Sequence, residues 1–530
     1  MLAVLISQVP VGVEGVPIRV EVDLRTGLPG VDIVGLPDSA VKEARERVRV
    51  AIRNSGFRFP PDRILVNLSP AGIRKEGASY DLPIALGILA ASEQVPIASP
   101  VMVLGELNLA GDVLPVQGVL SAVGTGLEHG VELFLVPHQN LPEARALGRG
   151  RVLGISCLAE AARAVSDPRH CPEEQSSPAA AEPAAGTKPG LLAAAKPPGG
   201  PEAEAWAVGD YADIRGHAIL KRALVIAAAG RHHLLLFGPP GSGKTMAARR
   251  LPSILPPLSW EEALAVTRIH SVAGVLPPAC GLIRRPPLRM PHHGASSEGI
   301  IGGGKSPRPG EASLAHEGVL LLDEAAEFRA TLLQSLREPL EEGSVTIARA
   351  GSTVQYPASF QLVLTANPCP CGNLGRAQAV CSCSPAEVRS YWRKLGGALL
   401  DRVDIRVPLK PVSAAEMAGG AGESSAELSE KVAGAVKLQR RRYAGLAFSR
   451  NGRLPPGLVE RFCAPGPAGI GLLAQAMSQL DLSSRAYHAI LKVARTIADL
   501  AESESIGRDH LLEAIQHRRY GDADIFWSYA

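Results

Sequence analysis

The sequence predicts an α/β protein in three parts: an α+β domain, a central domain built on a parallel sheet, and a helical C-terminal domain. The central domain is indicated by an apolar run, Leu234–Phe237, that leads directly into a glycine-rich turn and a helix. A second apolar run, Gly318–Leu322, ends in two carboxylates. Short apolar runs bounded by turns are typical of buried parallel strands. A stretch rich in Pro, Ala and Gly over residues 167–209 is predicted to be a linker that separates this region from the chain before it.

The glycine-rich turn fits the pattern Gly-x-x-x-x-Gly-Lys-Ser/Thr, which forms a phosphate-binding loop when it joins a strand to a helix. Glycine lets the backbone curl so that its N–H groups point at phosphate oxygens, and the helix N-terminus adds partial positive charge. Lys244 is expected to reach the β- and γ-phosphates, and the Thr245 hydroxyl to ligate Mg²⁺. ATP and Mg²⁺ are therefore the expected cofactors. The residues expected to line the loop are Gly238, Pro239, Pro240, Gly241, Ser242, Gly243, Lys244 and Thr245.

The two carboxylates that follow the second apolar run are Asp323 and Glu324. In an enzyme with a phosphate-binding loop, the first of such a pair holds Mg²⁺ and the second orients and deprotonates the attacking water. Asp323 thus joins Thr245 as an expected Mg²⁺ residue, and Glu324 is the expected general base. The presence of both carboxylates favours hydrolysis of the nucleotide over binding alone.

Bulk properties limit the alternatives. A chain of 530 residues is long enough for two or three domains, and its formal net charge of +3 means that any DNA contact must be local. No apolar run approaches the roughly 20 residues that span a bilayer, so no membrane partner is expected. The N-terminus lacks a basic region and a cleavage site, and eight cysteines are too unevenly spread for a disulfide scaffold. We expect a soluble, cytoplasmic protein.

Residues 1–166 are predicted to form the α+β domain. Strands are expected at Val16–Leu24 and Ile64–Leu68, on either side of a helix at Ser39–Ser55. Asp38 has the short acceptor side chain that favours an N-cap, so it marks the start of this helix. A further helix and a strand are expected near residues 118–129 and 133–136.

The central domain is predicted over residues 210–411 and the helical domain over residues 412–530. A buried strand in the central domain is followed by Asn367, whose side chain could hydrogen-bond the attacking water. Further along lies Leu-Leu-Asp-Arg, which ends at Arg402. The elements predicted in these two domains are helices over residues 218–230, 260–269, 329–340, 428–443, 469–477, 483–502 and 508–518, a hairpin over 342–356, and a strand over 360–365.

The order of these motifs resembles that of an AAA+ ATPase. Three longer segments, Arg289–Ser297, Pro309–Leu320 and Ser483–Leu500, are narrower matches and resemble the ComM/YifB family of magnesium-chelatase-like proteins. This resemblance covers nearly the whole chain except the linker. It implies a P-loop AAA+ core with an N-terminal Lon-protease-like (S5-like) α+β domain and a C-terminal helical lid.

The resemblance also implies roles for three residues. Asn367 corresponds to the sensor 1 residue, and Arg402 to an arginine finger that is presented to the neighbouring subunit. Arg485 corresponds to the sensor 2 arginine, which the lid helix is expected to carry to the γ-phosphate side of the nucleotide. With Lys244 and Glu324, these three residues are the predicted catalytic set. A ring of identical subunits, most simply a hexamer, follows because each site would be shared between two copies.

The N-terminal domain resembles the Lon protease domain but lacks part of its chemistry. Lon-type proteases use a serine nucleophile with a lysine base, and Ser79 falls at the position of the serine. The position of the lysine is occupied by Leu120, which cannot accept a proton, so Ser79 would lack activation. The domain is therefore expected to be non-proteolytic and to serve assembly or DNA handling.

Two clusters of metal-ligating residue types remain. Cys369, Cys371, Cys381 and Cys383 could close a tetrahedral Zn²⁺ site, or they could be four free thiols in a loop, since Cys-x-Cys is a tighter spacing than usual. His292, His293 and His316 are expected to serve loop packing or contacts near the nucleotide, because adjacent side chains point apart.

Two basic features are candidates for DNA contact. Arg349 lies near the tip of the predicted hairpin and could contact phosphate in a central pore, or it could be a solvated turn residue. The run Arg440–Arg442 is either a solvated helix end or part of a DNA-facing surface.

The resemblance implies a motor that acts on branched or single-stranded DNA, by branch migration or helicase action during recombination or natural transformation. The alternatives are a motor subunit of a metal chelatase and a protein-remodelling ATPase. An ATP-dependent protease is disfavoured by Leu120.

Overall fold

The structure is a computed structural model of the whole chain, and its description excludes most of the predicted linker, residues 169–208. The chain divides into two compact units. The first contains residues 1–203 and 263–283, and the second contains residues 204–262 and 284–530. The described residues are 2–97, 99–168, 209–277, 280–304, 306–349, 352–376, 379–411, 422–480 and 482–518.

The first unit is built on a seven-stranded mixed sheet with the strand order β3-β4-β2-β1-β5-β8-β9. The long strands β1 and β2 pair antiparallel, whereas β1 with β5, β5 with β8 and β8 with β9 pair parallel. Strands β6 and β7 form a separate two-stranded pair. The strands are β1 Leu2–Val11, β2 Glu14–Arg25, β3 Gly30–Val34, β4 Arg63–Ser69, β5 Val101–Val103, β6 Glu106–Leu107, β7 Val113–Leu114, β8 Leu133–Pro137 and β9 Arg151–Ile155.

The helices of the first unit follow local sequence signals. The first begins after Asp38, whose side chain accepts a hydrogen bond from the Val41 N–H at 2.8 Å, as the sequence predicts. Its buried residues recur every three or four positions, from Val41 to Ile52, and this stripe packs into the core of the unit. The helices are α1 Ser39–Asn54, α2 Asp81–Ala91, α3 Val119–Glu128, α4 Leu141–Ala144 and α5 Leu158–Ser166.

A segment from the middle of the predicted central domain belongs to the first unit. The helix Trp260–Ala273 begins in the second unit, but its residues from Ala263 onward are grouped with residues 1–203. The Gly118 N–H donates to both the carbonyl and the hydroxyl oxygen of Ser271, at 3.3 and 3.1 Å. The sequence placed residues 263–283 within 210–411, because nothing in their local pattern reveals where they pack.

The second unit is built on a five-stranded parallel sheet with the order β11-β14-β17-β10-β18. Every residue of β10, β14 and β17 is buried, as expected for strands covered on both faces. Together, the two sheets confirm the α/β fold class. The strands are β10 Leu234–Phe237, β11 Leu288–Arg289, β12 Gly302–Gly303, β13 Arg308–Pro309, β14 Val319–Leu322, β15 Ser344–Arg349, β16 Ser352–Pro357, β17 Gln361–Ala366 and β18 Ile405–Pro408.

The helices of the second unit include those of the predicted C-terminal domain, which form part of the same compact unit. The single helix predicted over residues 329–340 is two short helices that meet at Leu336. The helices after residue 209, of which α8 runs from the second unit into the first, are α6 Ala218–Gly230, α7 Lys244–Arg249, α8 Trp260–Ala273, α9 Ser297–Ile301, α10 Glu311–Leu314, α11 Ala330–Ser335, α12 Arg337–Glu342, α13 Pro385–Arg393, α14 Gly397–Leu400, α15 Ser425–Arg442, α16 Pro456–Cys463, α17 Pro467–Gln479, α18 Ser484–Leu500 and α19 Arg508–Arg518.

The hairpin predicted near residue 349 is confirmed as β15 and β16, whose strands pair antiparallel from Ser344 to Pro357. The side chain of Arg349 at its tip lies outside the described residues. The basic run at the end of α15 is partly structural, because Arg442 forms a double hydrogen bond with the buried carboxylate of Asp499. Among the described residues, no helix has the length and apolar character needed to cross a membrane.

Candidate nucleotide-binding site

The predicted phosphate-binding, Mg²⁺ and water-activating residues, and the predicted sensor asparagine, lie at the carboxyl ends of three adjacent strands. The strand β17 pairs with β10 on one side and with β14 on the other, all parallel. The glycine-rich loop follows β10, the two carboxylates follow β14, and Asn367 follows β17. In open parallel sheets the crevice at the carboxyl ends of the strands is where ligands bind, at the point where the strand order reverses. Here that point is β10. The chain passes from β10 to β11 at one edge of the sheet, returns through β14 and β17, and then places β18 on the other side of β10.

The backbone of the phosphate-binding loop adopts a conformation that requires glycine at several positions. A Cβ atom at Gly238 would lie 2.3 Å from the Leu409 carbonyl oxygen, so only glycine allows this approach. Gly241 and Gly243 have φ values of 79°, in the left-handed region that favours glycine. Gly243 directly precedes α7, which therefore starts at Lys244. The sequence-predicted loop is thus folded as a turn between a strand and a helix, the context that its pattern requires.

Lys244 lies in the loop with its amine directed inward. Its Nζ donates to the carbonyl oxygens of Gly238 and Pro239 at 2.7 and 2.9 Å, and to Asn367 Oδ1 at 3.3 Å. Burial lowers the pKa of Lys244, while the nearby Asp323 and Glu324 carboxylates act in the opposite direction. The structure therefore brings together the predicted phosphate-binding lysine and the predicted sensor asparagine.

A hydrogen-bond network links the predicted Mg²⁺ residues to the predicted base. The hydroxyls of Thr245 and Thr365 both donate to Asp323 Oδ1, at 2.7 and 2.6 Å. The same Thr365 hydroxyl accepts the Glu324 N–H at 2.9 Å. One hydroxyl on β17 thus holds the Asp323 carboxylate and the Glu324 backbone together.

Glu324 has an unusual backbone conformation. Its φ of 52° lies in the left-handed region, which costs a residue with a Cβ about 1–3 kcal/mol and is common at functional sites. The side chain is exposed to solvent, whereas the Asp323 side chain is half-buried. The geometry therefore leaves Glu324 accessible to a water at the crevice. Hydroxyl, carboxylate, ammonium and amide groups are present here in the combination that binds Mg·ATP.

The two predicted arginines lie together near the amino ends of the strands, away from the phosphate-binding loop. Arg402 precedes β18, and nearby Asp404 accepts the His233 N–H just before β10 begins. This position is at the amino ends of the strands, whereas the phosphate-binding loop is at the carboxyl ends. The four residues of β10 separate the two edges by about 13 Å. Arg402 therefore does not reach the nucleotide site of its own chain.

Glu341 at the end of α12 holds both arginines. Its carboxylate forms ion pairs with Arg402 and with Arg485, whose Nη2 lies 3.1 Å from Glu341 Oε1. The side chain of Arg402 is 10% exposed and that of Arg485 is 46% exposed. Both line an open cavity of about 810 Å³ together with Lys492 and His488. Arg485 thus lies with Arg402 and not at the phosphate-binding loop of its own chain, and its approach to a γ-phosphate stays a prediction.

A buried ion-pair network lies beside this cavity. Glu317 pairs with Arg231 and with Arg453, whose Nη1 lies 3.0 Å from Glu317 Oε1. Burial alone would raise the pKa of Glu317, but the two guanidinium groups lower it to about 2. Arg231 and Arg453 line the same cavity as the arginine pair. Glu317 therefore holds two further guanidinium groups, those of Arg231 and Arg453, in the cavity that Arg402 lines.

Sequence reasoning missed Thr365 and Glu341. Thr365 is the fifth residue of β17, a strand in which every residue is buried. Nothing in the sequence of this strand indicates that the Thr365 hydroxyl donates to a carboxylate 42 residues earlier in the chain. Glu341 lies 144 residues from Arg485 and in a helix with several other carboxylates. The neighbouring residue types could have suggested a salt bridge, but no local pattern identifies its partner.

The residues predicted to lack a catalytic or metal-binding role, Leu120, Ser79 and the three histidines, are held by packing or by hydrogen bonds. Leu120 is fully buried on α3, and Ser79 lies in the turn before α2 with its carbonyl accepting the Gly105 N–H. His316 Nδ1 accepts the Ser359 N–H at 3.0 Å, and burial lowers its pKa to about 4. His292 and His293 pack ring against ring, with centroids 4.0 Å apart. These contacts fit loop packing for the three histidines, but the expectation that the adjacent side chains of His292 and His293 point apart is wrong, because their rings pack together.

The four predicted cysteines come together. Their sulfur atoms all lie within 4.8 Å of one another, and this is the one group of three or more metal-ligating side chains of this kind among the described residues. The Cys369 sulfur lies 3.4 Å from that of Cys371 and 3.6 Å from that of Cys381. The cluster could therefore hold a metal ion.

The parallel sheet, the phosphate-binding loop on its central strand and the carboxylates on the adjoining strand ends define the class of protein: a P-loop ATPase of the AAA+ type. Comparison with family sequence profiles supports this class over most of the chain. The profile described as magnesium chelatase, subunit ChlI, matches residues 210–417. A profile for the C-terminal part of the same subunit matches residues 422–518, and one described as subunit ChlI of Mg-chelatase matches residues 20–140.

Three relatives align with nearly the whole chain. A protein of Mycobacterium tuberculosis is 40% identical over 513 residues, which cover 96% of this chain and 97% of the relative. YifB of Salmonella typhimurium is 39% identical and the competence protein ComM of Haemophilus influenzae 38% identical, each over 521 residues, or 98% of this chain and 97% of the relative. The chain belongs to the ComM/YifB family of magnesium-chelatase-like proteins. The AAA+ character of this family implies ATP and Mg²⁺ as cofactors.

Two further similarities cover single regions. The Lon protease of Trichlorobacter lovleyi is 26% identical over 135 residues, which cover 24% of this chain and 16% of the relative. The magnesium-chelatase 38 kDa subunit of Rhodobacter capsulatus is 29% identical over 176 residues, which cover 30% of this chain and 50% of the relative. Each of these two relatives is therefore similar to only a part of this chain.

Proposed function

We propose that this protein is an ATP-hydrolysing, ring-forming motor that acts on DNA. The observation that carries the ATPase part is that two hydrogen bonds meet at one crevice, from Lys244 to Asn367 and from the adjacent Thr245 to Asp323. Lys244 binds the β- and γ-phosphates, and Thr245 and Asp323 hold the Mg²⁺ that neutralises charge on the phosphates. Glu324 takes the proton of the attacking water, and Asn367 orients that water.

The ring follows from the location of the arginines. Arg402 and Arg485 line a cavity at the amino ends of the strands, opposite to the phosphate-binding loop of their own chain. Stabilising charge on a transferring phosphoryl group requires the guanidinium to touch it, so the nucleotide served by this edge is that of a neighbouring copy. Heterologous contacts of this kind form a ring when the rotation from one copy to the next closes, and we propose that it does here. Six copies are the number that the AAA+ resemblance implies.

The DNA substrate is supported by the family relationship. One of the relatives that align with nearly the whole chain is named a competence protein, and its similarity extends over 98% of this chain. Branch migration or helicase action on recombination intermediates fits a ring motor whose hairpin, β15 and β16, ends in Arg349. The net charge of +3 means that the contact surface is local. The cytoplasm, where such intermediates occur, is the proposed location.

The proposal is tested by measuring ATP turnover with and without forked DNA or Holliday junctions, together with strand movement in the same reactions. We expect DNA to stimulate hydrolysis and strand movement to require it, with binding that weakens as salt rises. The variant Glu324→Gln should bind ATP and DNA without moving strands. ATP hydrolysis that no DNA structure stimulates would refute the DNA part while leaving the ATPase part intact.

A second candidate is a motor subunit of a metal chelatase or a related remodelling ATPase. It is favoured by the partial match to the magnesium-chelatase 38 kDa subunit. The match covers 30% of this chain, so it supports a chelatase role for only part of the protein. Stimulation of hydrolysis by a protein partner, and not by DNA, would favour this candidate.

A further inference from the structure

We propose that Cys369, Cys371, Cys381 and Cys383 bind one Zn²⁺ ion, and that this ion holds the loop that positions Asn367 at the nucleotide site. With Zn–S bonds of about 2.3 Å, tetrahedral geometry separates two ligating sulfurs by about 3.8 Å. Three pairs of sulfurs in this structure lie 3.4, 3.6 and 3.7 Å apart, and all four lie within 4.8 Å. One ion fits this arrangement, whereas an iron–sulfur cluster needs its cysteines further apart.

The backbone around the first pair of cysteines also suits thiolate ligands. The Leu374 N–H donates to the Cys369 sulfur at 3.4 Å, a hydrogen bond that stabilises negative charge on that sulfur. Gly372 makes this turn possible, because its φ of 75° lies in the left-handed region. Each thiol gives up its proton when it coordinates the ion, so the site carries four thiolates and one Zn²⁺.

The cluster is directly connected to the nucleotide site. Cys369 is two residues from Asn367, and the carbonyl of the intervening Pro368 accepts the indole N–H of Trp392 at 3.1 Å. On the other side of the turn, a Cβ at Gly372 would lie 2.8 Å from Cγ of Pro240 in the phosphate-binding loop. The turn that carries two of the sulfurs thus packs against that loop. A metal ion bound here would hold Asn367 in place and keep it at a constant distance from the phosphate-binding loop.

The proposed ion is structural. Four protein sulfurs complete the tetrahedral coordination of Zn²⁺ and leave no position for a reacting water. Asn367 is therefore the residue that would touch the reaction, and the cysteines are positioning residues that act through it. This inference rests on the cluster geometry, and only its consequence for turnover rests on the proposed ATPase function.

The metal is tested first, on the full chain purified without chelators. We expect one zinc per chain by elemental analysis. Cobalt substituted for zinc should give the intense visible and near-ultraviolet absorption of tetrahedral thiolate coordination. The double variant Cys371→Ser, Cys381→Ser should lose both, whereas Cys157→Ser, a matched change outside the cluster, should keep both. Wild-type protein with no metal and no cobalt spectrum, or with iron instead of zinc, would overturn the proposal.

The positioning role is tested with the same proteins. In the double variant, kcat for ATP should fall by about 10- to 100-fold, as expected when a reacting group is displaced by about 1 Å. The Kd for ATP should change much less, because the phosphate-binding loop is intact. A variant that loses zinc but keeps its kcat would refute positioning. If wild-type protein binds zinc but hydrolyses no ATP, the proposed function fails while the metal site stands.

Discussion

Replacing Thr365 with valine is expected to slow ATP hydrolysis while leaving ATP binding almost unchanged. The side chain is buried at the end of β17, and valine fills nearly the same volume. What is lost is the hydroxyl that donates to Asp323 Oδ1 at 2.6 Å and accepts the Glu324 N–H at 2.9 Å. The Mg²⁺ carboxylate and the general base would then no longer be held relative to each other.

The expected size follows from these two hydrogen bonds. A hydrogen bond to a charged group contributes about 1.5–3 kcal/mol and a neutral one about 1 kcal/mol. Part of this energy is recovered, because Thr245 still donates to the same Asp323 oxygen. A net loss of about 2 kcal/mol in the transition state corresponds to a decrease in kcat of about thirtyfold. Glu324 would be the residue most affected, since its backbone at φ 52° relaxes without this partner.

The assay is steady-state ATP turnover combined with an equilibrium measurement of ATP affinity. Thr365→Ser, which keeps the hydroxyl, should restore most of the activity, and Thr346→Val on the exposed face of β15 should have no effect. The reasoning is refuted if Thr365→Val turns over at the wild-type rate. It is also refuted if the loss appears equally in ATP affinity, because the hydroxyl would then serve binding and not the geometry of hydrolysis.

Three further predictions concern residues at the two edges of the second unit. Arg402→Ala should keep ATP binding and lower turnover by about 10³–10⁵-fold if this arginine serves a neighbouring copy as proposed; normal turnover would contradict that assignment. Lys244→Ala should not bind Mg·ATP, yet mixing it with Arg402→Ala should recover some activity through mixed interfaces, and no recovery would argue against shared sites. Glu317→Gln should lower the free energy of unfolding by about 3 kcal/mol at neutral pH, since this carboxyl has a folded-state pKa of about 2 against an ordinary value of 4.5. That difference is present above pH 4.5 and should disappear as the pH falls towards 2; a loss that persists in acid, or an equal loss in the exposed control Glu430→Gln, would show that the charge is not its cause.

The nucleotide site was the part of the protein most open to prediction from sequence. Its residues lie in short local patterns, and parallel strands bring their carboxyl ends together whatever the rest of the chain does. Lys244, Asp323 and Asn367 therefore converge as the order of motifs suggests. The cysteine cluster was also predicted, although its unusual Cys-x-Cys spacing left free thiols as an equal alternative.

The features that were not predicted depend on contacts between distant parts of the chain. The pairing of Arg485 with Arg402 is one of them, because the position of the helix that carries Arg485 is set by packing against the core. Its partner Glu341 is identified only by the folded structure. The amphipathic pattern of a helix shows that one face is buried and does not show which surface covers it.

The helix Trp260–Ala273 has a practical consequence for anyone who wishes to separate the two units. The chain passes between them three times, after residues 203, 262 and 283, and not once at the linker. A fragment that starts at residue 210 would keep Val266 and Ile269, which are buried here, but would lose the residues around Gly118 that cover this segment. Such a fragment is expected to aggregate or to bind chaperones. A dissection that removes residues 263–283 as well, bridged by a short flexible loop, respects the real boundary.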